Sequence, residues 1–131
     1  MKRTFIKESF LTIFATLFCL AASFGQTTIT TGTITPPTAC AGGDISVPYT
    51  TTGTVAPAVD FVAQVSDAAG AFSATPTEIG TSATSPIAAT IPAGTTAGAG
   101  YKIRVVSKLA AVIQITGSES VALPINATPA A

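Results

Sequence analysis

Residues 98–106 read Gly-Ala-Gly-Tyr-Lys-Ile-Arg-Val-Val, and this stretch decides the fold class. From Tyr101 to Val105 the apolar side chains alternate with charged ones, so the apolar set lies on one face of an extended chain. This period of two is typical of a half-buried β-strand. It recurs in three earlier segments, 45–50, 61–66 and 87–91. The sequence therefore predicts an all-β fold.

Turn residues separate these strand segments. Asp67 and Gly70 stand at the first and fourth positions of a type I turn, and Gly98–Gly100 closes a longer connection. The stretch from Lys108 to Glu119 fits either a strand or an apolar loop packed on an edge. The expected strands lie at about 27–35, 44–51, 59–66, 77–80, 85–91, 101–107, 111–116 and 120–126. Short strands with turns between them favour a single Ig-like antiparallel β-sandwich of about seven to eight strands.

Tyr101 carries the most specific fold signal in the chain. It begins a late strand directly after a corner of small residues, which resembles the tyrosine corner of Greek-key sandwiches. In that motif the phenol hydroxyl bonds to backbone upstream. We therefore expect structural roles for Tyr101 and for the turn residues Asp67 and Gly70.

The first 25 residues have the pattern of a secretory signal peptide. Lys2, Arg3 and Lys7 precede an apolar run at 10–22, and small residues lead up to Gln26. The run is shorter than the roughly 20 residues that span a bilayer. Residues 26–131 are expected to form the exported domain, located extracellularly or at the cell surface, with the periplasm as an alternative. No membrane insertion is expected after cleavage.

Charge and composition argue against several functions. After Gly25 the chain has three basic and five acidic residues and no basic cluster, so nucleic acid is not an expected partner. It has no histidine, which excludes a Ser-His-Asp triad, and it lacks the ligands of ordinary zinc sites. We expect no enzyme activity, no catalytic residue, no cofactor and no metal.

Three segments resemble one known family. Residues 40–50, 61–72 and 89–107 are similar, in order, to a repeat of large surface adhesins from gliding bacteria that use type IX secretion. The resemblance implies an Ig-like module that serves as a spacer or adhesive unit. This chain departs from the family in carrying one repeat where those proteins carry many, and the similarity fades after Ser107.

Three functions stay open at this point. The first is a structural or adhesive module that contacts a protein or a surface glycan. The second is a self-assembling filament subunit that donates strand 26–38 to a neighbour. Its contact residues would be Ile29, Ile34 and Cys40, although Cys40 also fits a small buried position. The third is a carbohydrate-binding module with Phe72 as the exposed aromatic side chain.

Overall fold

The computed structural model describes residues 26–57 and 59–129. Within these ranges all regular structure is β-strand and no helix occurs, so the all-β prediction is confirmed. The predicted signal peptide, 1–25, lies outside the described residues. The strands are β1 Thr28–Thr31, β2 Ala39–Cys40, β3 Asp44–Val47, β4 Tyr49–Thr52, β5 Asp60–Val65, β6 Thr77–Ser82, β7 Ile87–Thr90, β8 Gly98–Tyr101, β9 Ile103–Leu109, β10 Val112–Glu119 and β11 Leu123–Asn126.

The strands form four hydrogen-bonded groups. The largest is an antiparallel sheet with the order β10-β9-β5-β6. Two further groups are the antiparallel pairs β1-β4 and β3-β7, and the fourth group has the order β2-β11-β8. Its β2–β11 pairing is parallel. The arrangement is compatible with a β-sandwich.

One hydrophobic core is shared by these strand groups. The register of β5 and β9 sets Ala63 beside Val105 and Val65 beside Ile103, so both strands direct the same set inward. The rings of Tyr49 and Phe61 meet with centroids 4.5 Å apart. Because the inward side chains are aliphatic and aromatic, their burial is the main favourable term in folding. The most deeply buried aliphatic side chains are Val47, Ile87, Ile91, Ile103, Val105, Val106, Leu123 and Ile125.

The structure settles one prediction that was left open and corrects another. The stretch from Lys108 to Glu119 is a hairpin of β9 and β10, so it is a strand rather than an apolar loop. Gly98–Gly100, predicted to lie in a connection, forms most of β8 and pairs with β11. A Cβ atom on Gly100 would collide with the carbonyl oxygen of Ala68, so the glycine marks a close backbone approach rather than a turn.

Candidate functional site

Two adjoining clefts open at one end of the domain, between the β5–β6 loop and the β7–β8 loop. Their volumes are about 250 Å³ and 330 Å³, and they share Val65, Ser66 and Thr77. We call them together the loop-end groove. The first cleft is also lined by Asp67, Ala71, Phe72 and Ser73, and the second by Pro92, Gly94, Thr95, Thr96 and Tyr101. The lining is rich in hydroxyl groups and contains one carboxylate and one phenyl ring.

The Asp67 loop forms one wall and is held by its own hydrogen bonds. Asp67 Oδ1 accepts from the backbone N–H groups of Ala69 and Ala71, each at 2.9 Å. The N–H of Gly70 donates to the Asp67 carbonyl at 3.0 Å, and Gly70 has a φ of +85° that favours glycine. The sequence assigned both residues to a turn, and the structure places them in one.

Tyr101 and Ser66 connect the groove to the rigid sheet. The Tyr101 hydroxyl donates to the carbonyl oxygen of Thr96 at 2.8 Å, five residues upstream. Ser66 Oγ accepts from the N–H of Lys102 at 2.7 Å and lies 2.8 Å from the Asp67 carbonyl, to which it donates. Both walls are therefore tied to residues 101 and 102, where β8 ends and β9 is about to begin, so hydrogen bonds within the chain set the shape of the groove.

Phe72 stands at the rim of the groove and is held in place from behind. The Arg104 guanidinium carbon lies 4.1 Å from the centroid of the Phe72 ring, a cation–π distance. Arg104 Nε donates to Gln64 Oε1 at 3.0 Å, and the Gln64 residue is only 1% exposed. The sequence predicted a free aromatic side chain here. The ring is half-buried. The Arg104 guanidinium orients it, and the buried Gln64 amide holds that guanidinium in place.

The outer face of the four-stranded sheet carries most of the charge. Six of the eight charged residues after Gly25 lie on this sheet or beside it. Lys108 forms an ion pair with Glu78, two strands away, and the register shows that this diagonal crosses β5 at Val62. The long side chains therefore cover a face that would otherwise expose Val62 and Val106, which are both buried.

The β9–β10 hairpin lies at the opposite end of the domain. The groove joins the start of β9 and the hairpin follows its last residue, about 23 Å further along the strand. Its turn residues, Ala110 and Ala111, have φ values of +49° and +68°, a left-handed conformation that alanine adopts at a cost. Beside the turn, Val112 is 61% exposed and Ile113 41%. This hairpin belongs to the stretch from Lys108 to Glu119, for which the sequence left both a strand and an apolar loop open.

The other residues predicted to make intermolecular contacts lie in and near the core. Ile29 and Ile34 are 3% and 4% exposed, so they would meet a neighbour only if their strand were exchanged. β1 is paired with β4 of its own chain. Thr31 N–H donates to Ser118 Oγ, and Thr31 Oγ1 accepts from the N–H of Val105. Cys40 is half-buried with a free thiol.

Sequence reasoning identified individual groove residues but not the groove itself. Asp67 and Phe72 share the β5–β6 loop, but Tyr101 lies at the end of β8, and only tertiary packing brings it beside that loop. In residues 26–57 and 59–129, no three potential metal ligands are grouped together. The same part of the chain contains no helix with the length and hydropathy of a membrane span. No protein-family model, curated protein or solved structure matches this chain.

Proposed function

We propose that this chain is an exported, non-enzymatic Ig-like module with a structural or adhesive role. The strand order supports the Ig-like assignment. β10, β9 and β5 are adjacent in one sheet, as the G, F and C strands are in Ig domains, and β3 pairs with β7, as the B and E strands do. The Tyr101–Thr96 hydrogen bond has the form of a tyrosine corner.

The exposed apolar hairpin is the observation that carries the adhesive role. β10 ends its sheet, and β1 packs against Gly117 and Ser118 in the second half of β10. Among the described residues, the first half of β10 is therefore an unpaired edge. A free strand edge offers unpaired N–H and C=O groups, and the complement of such an edge is another strand. No charged residue lies between Leu109 and Gln114, and Lys108, the cross-strand partner of Ile113, is neutralised by its ion pair with Glu78, so little charge repulsion opposes the contact of two copies. The proposed partner is a second copy of the chain.

A bead assay tests this role, because many weak contacts on one bead add up to a measurable attachment. The chain from Gln26 contains every described strand and is coupled to beads at controlled density. Wild-type beads are expected to cluster. Beads with Ile113→Lys are expected to stay dispersed, because a charge on an edge opposes strand pairing.

The matched control is Ala88→Lys, which adds the same charge at an exposed position on β7. These beads should cluster like the wild type. The proposal fails if wild-type beads remain dispersed at every density, or if the Ile113→Lys beads cluster equally well.

A filament subunit is the second candidate function, and the position of Ile29 favours it. β1 fills core positions, and its only backbone ladder within the described residues is with β4, while Thr31 alone bonds to Ser118 and Val105. The same strand of a neighbour fits this place. Light scattering and negative-stain microscopy on the chain with and without residues 26–38 decide between the filament subunit and the adhesive module. Polymers that disappear on truncation, while the domain stays folded, support strand donation. A monomer that unfolds on truncation leaves the adhesive module.

A further inference from the structure

The loop-end groove has the chemistry of a site for neutral, hydroxyl-rich ligands. Its lining contains hydroxyls of Ser73, Thr77 and Thr95, and a hydroxyl both donates and accepts hydrogen bonds. No lysine or arginine is among its lining residues. The nearest cations are Arg104, which lies behind Phe72 and bonds to Gln64, and Lys102, which pairs with Glu119, so the groove itself offers a phosphate or sulfate group no lining counter-charge. The negative charge of the Asp67 carboxylate also repels acidic ligands.

Asp67 has one oxygen committed to the loop and one that remains for a ligand. Both backbone hydrogen bonds to this carboxylate are accepted by Oδ1. The two bonds fix the plane of the carboxylate, and Oδ2 is left to accept from a hydroxyl. Charged acceptors form stronger hydrogen bonds than neutral ones, so this oxygen is the strongest acceptor in the groove.

Phe72 supplies a flat apolar surface beside these polar groups. One ring face is covered by Arg104, which Gln64 orients, and Phe72 also lines the first cleft. The C–H face of a sugar ring is electropositive and the face of a phenyl ring is electronegative, so the two attract. A side chain that is held before binding loses little entropy on binding.

We propose that the loop-end groove binds a neutral carbohydrate, which stacks on Phe72 and donates a hydroxyl hydrogen bond to Asp67 Oδ2. A few polar groups in a mostly preformed concavity of this size are typical of small-ligand sites. The site lies at the opposite end from the β9–β10 hairpin, so it goes beyond the adhesive contact proposed for that hairpin and can fail separately from it.

Affinity electrophoresis tests the site with defined probes. Native gels contain β-1,3-glucan, β-1,4-glucan, α-1,4-glucan, mannan or xylan, with an anionic alginate gel for comparison. The chain from Gln26 is expected to be retarded by at least one neutral polymer, and salt should not abolish the retardation. Retardation by alginate alone, or by none of the polymers, overturns the proposal.

Variants then assign the binding to the groove. Phe72→Leu keeps apolar volume beneath Arg104 but removes the ring, and is expected to weaken binding about tenfold. Phe72→Tyr should retain binding, and Asp67→Asn should weaken it while preserving an oxygen for the loop. Ile113→Lys, at the other end, should bind as the wild type does even if it abolishes bead clustering. Equal retardation of the wild type and Phe72→Leu overturns the assignment.

Discussion

The two ends of this domain hold their loops in shape by different means. At the loop end, side-chain oxygens of Asp67, Ser66 and Tyr101 bond to nearby backbone groups, and the one left-handed residue of the turn is a glycine. At the hairpin end, two alanines take left-handed conformations and the flanking side chains are apolar and exposed. The first end is a preformed polar concavity, and the second is a strained apolar projection. The two proposed contacts follow this contrast, with a small ligand proposed at the first end and a protein strand at the second.

The largest effect should come from adding a methyl group at the loop end. Gly100→Ala places its Cβ against the carbonyl oxygen of Ala68, which is backbone and cannot move without displacing the Asp67 loop. We expect a loss of about 3 kcal/mol in the free energy of unfolding. Urea unfolding measures it. Gly94→Ala is the control, because a Cβ there meets nothing within 4 Å. Equal midpoints for the two variants would contradict the close approach.

Replacing the two left-handed alanines should stabilise the hairpin end. Ala110→Asn with Ala111→Gly installs the residue pair that two-residue hairpin turns with positive φ prefer. Relief of the left-handed strain should raise the free energy of unfolding by about 1–2 kcal/mol. The same urea titration measures the gain, and an unchanged or lower midpoint would argue against the left-handed alanines. The double variant also shows whether strain contributes to bead clustering.

Two serine substitutions compare satisfied and unsatisfied hydroxyls. Ser120 Oγ, at the loop end, accepts from the N–H of Ile103 and donates to the Val121 carbonyl, so Ser120→Ala should cost about 1–2 kcal/mol. Ser107 Oγ, nearer the hairpin, is buried and has no hydrogen-bond partner among residues 26–57 and 59–129. Ser107→Ala should therefore leave stability unchanged or raise it by up to about 1 kcal/mol. Thermal melts with both variants check the sign, and losses of similar size would refute the difference.

The smallest effect concerns pH. Burial raises the pKa of Tyr49 above its ordinary value of 10.0, so the folded state keeps a proton that the unfolded state loses at high pH. The contribution to stability is complete below the unfolded pKa and is lost as the pH rises through the folded pKa. Tyr49→Phe should flatten the alkaline loss of stability. Unfolding midpoints from about pH 8 to about pH 11 measure it, with the wild type as reference. Parallel curves would contradict the prediction.

Most of the fold could be predicted from local pattern. The period of two in β3, β5, β7 and β9 is a property of neighbouring residues, and the inward sets that it predicts are the core. The predicted 27–35 strand is shorter in the structure, with β1 ending at Thr31 and a single bridge joining Thr35 to Ser46. The parallel pairing of β2 with β11 was not predicted, because it joins segments far apart in the chain and has no local signature.

The amino-acid sequence by itself determined the all-β class and the inward faces, because alternation along a strand needs no knowledge of the partner strand. It also determined the turn at Asp67–Gly70, whose hydrogen bonds span only a few residues. Tertiary structure decided the groove and the hairpin. Phe72 meets Arg104 from a distant strand, and Lys108 reaches Glu78 across Val62. Such contacts depend on register and on the packing of layers, which are set only when the whole core is assembled.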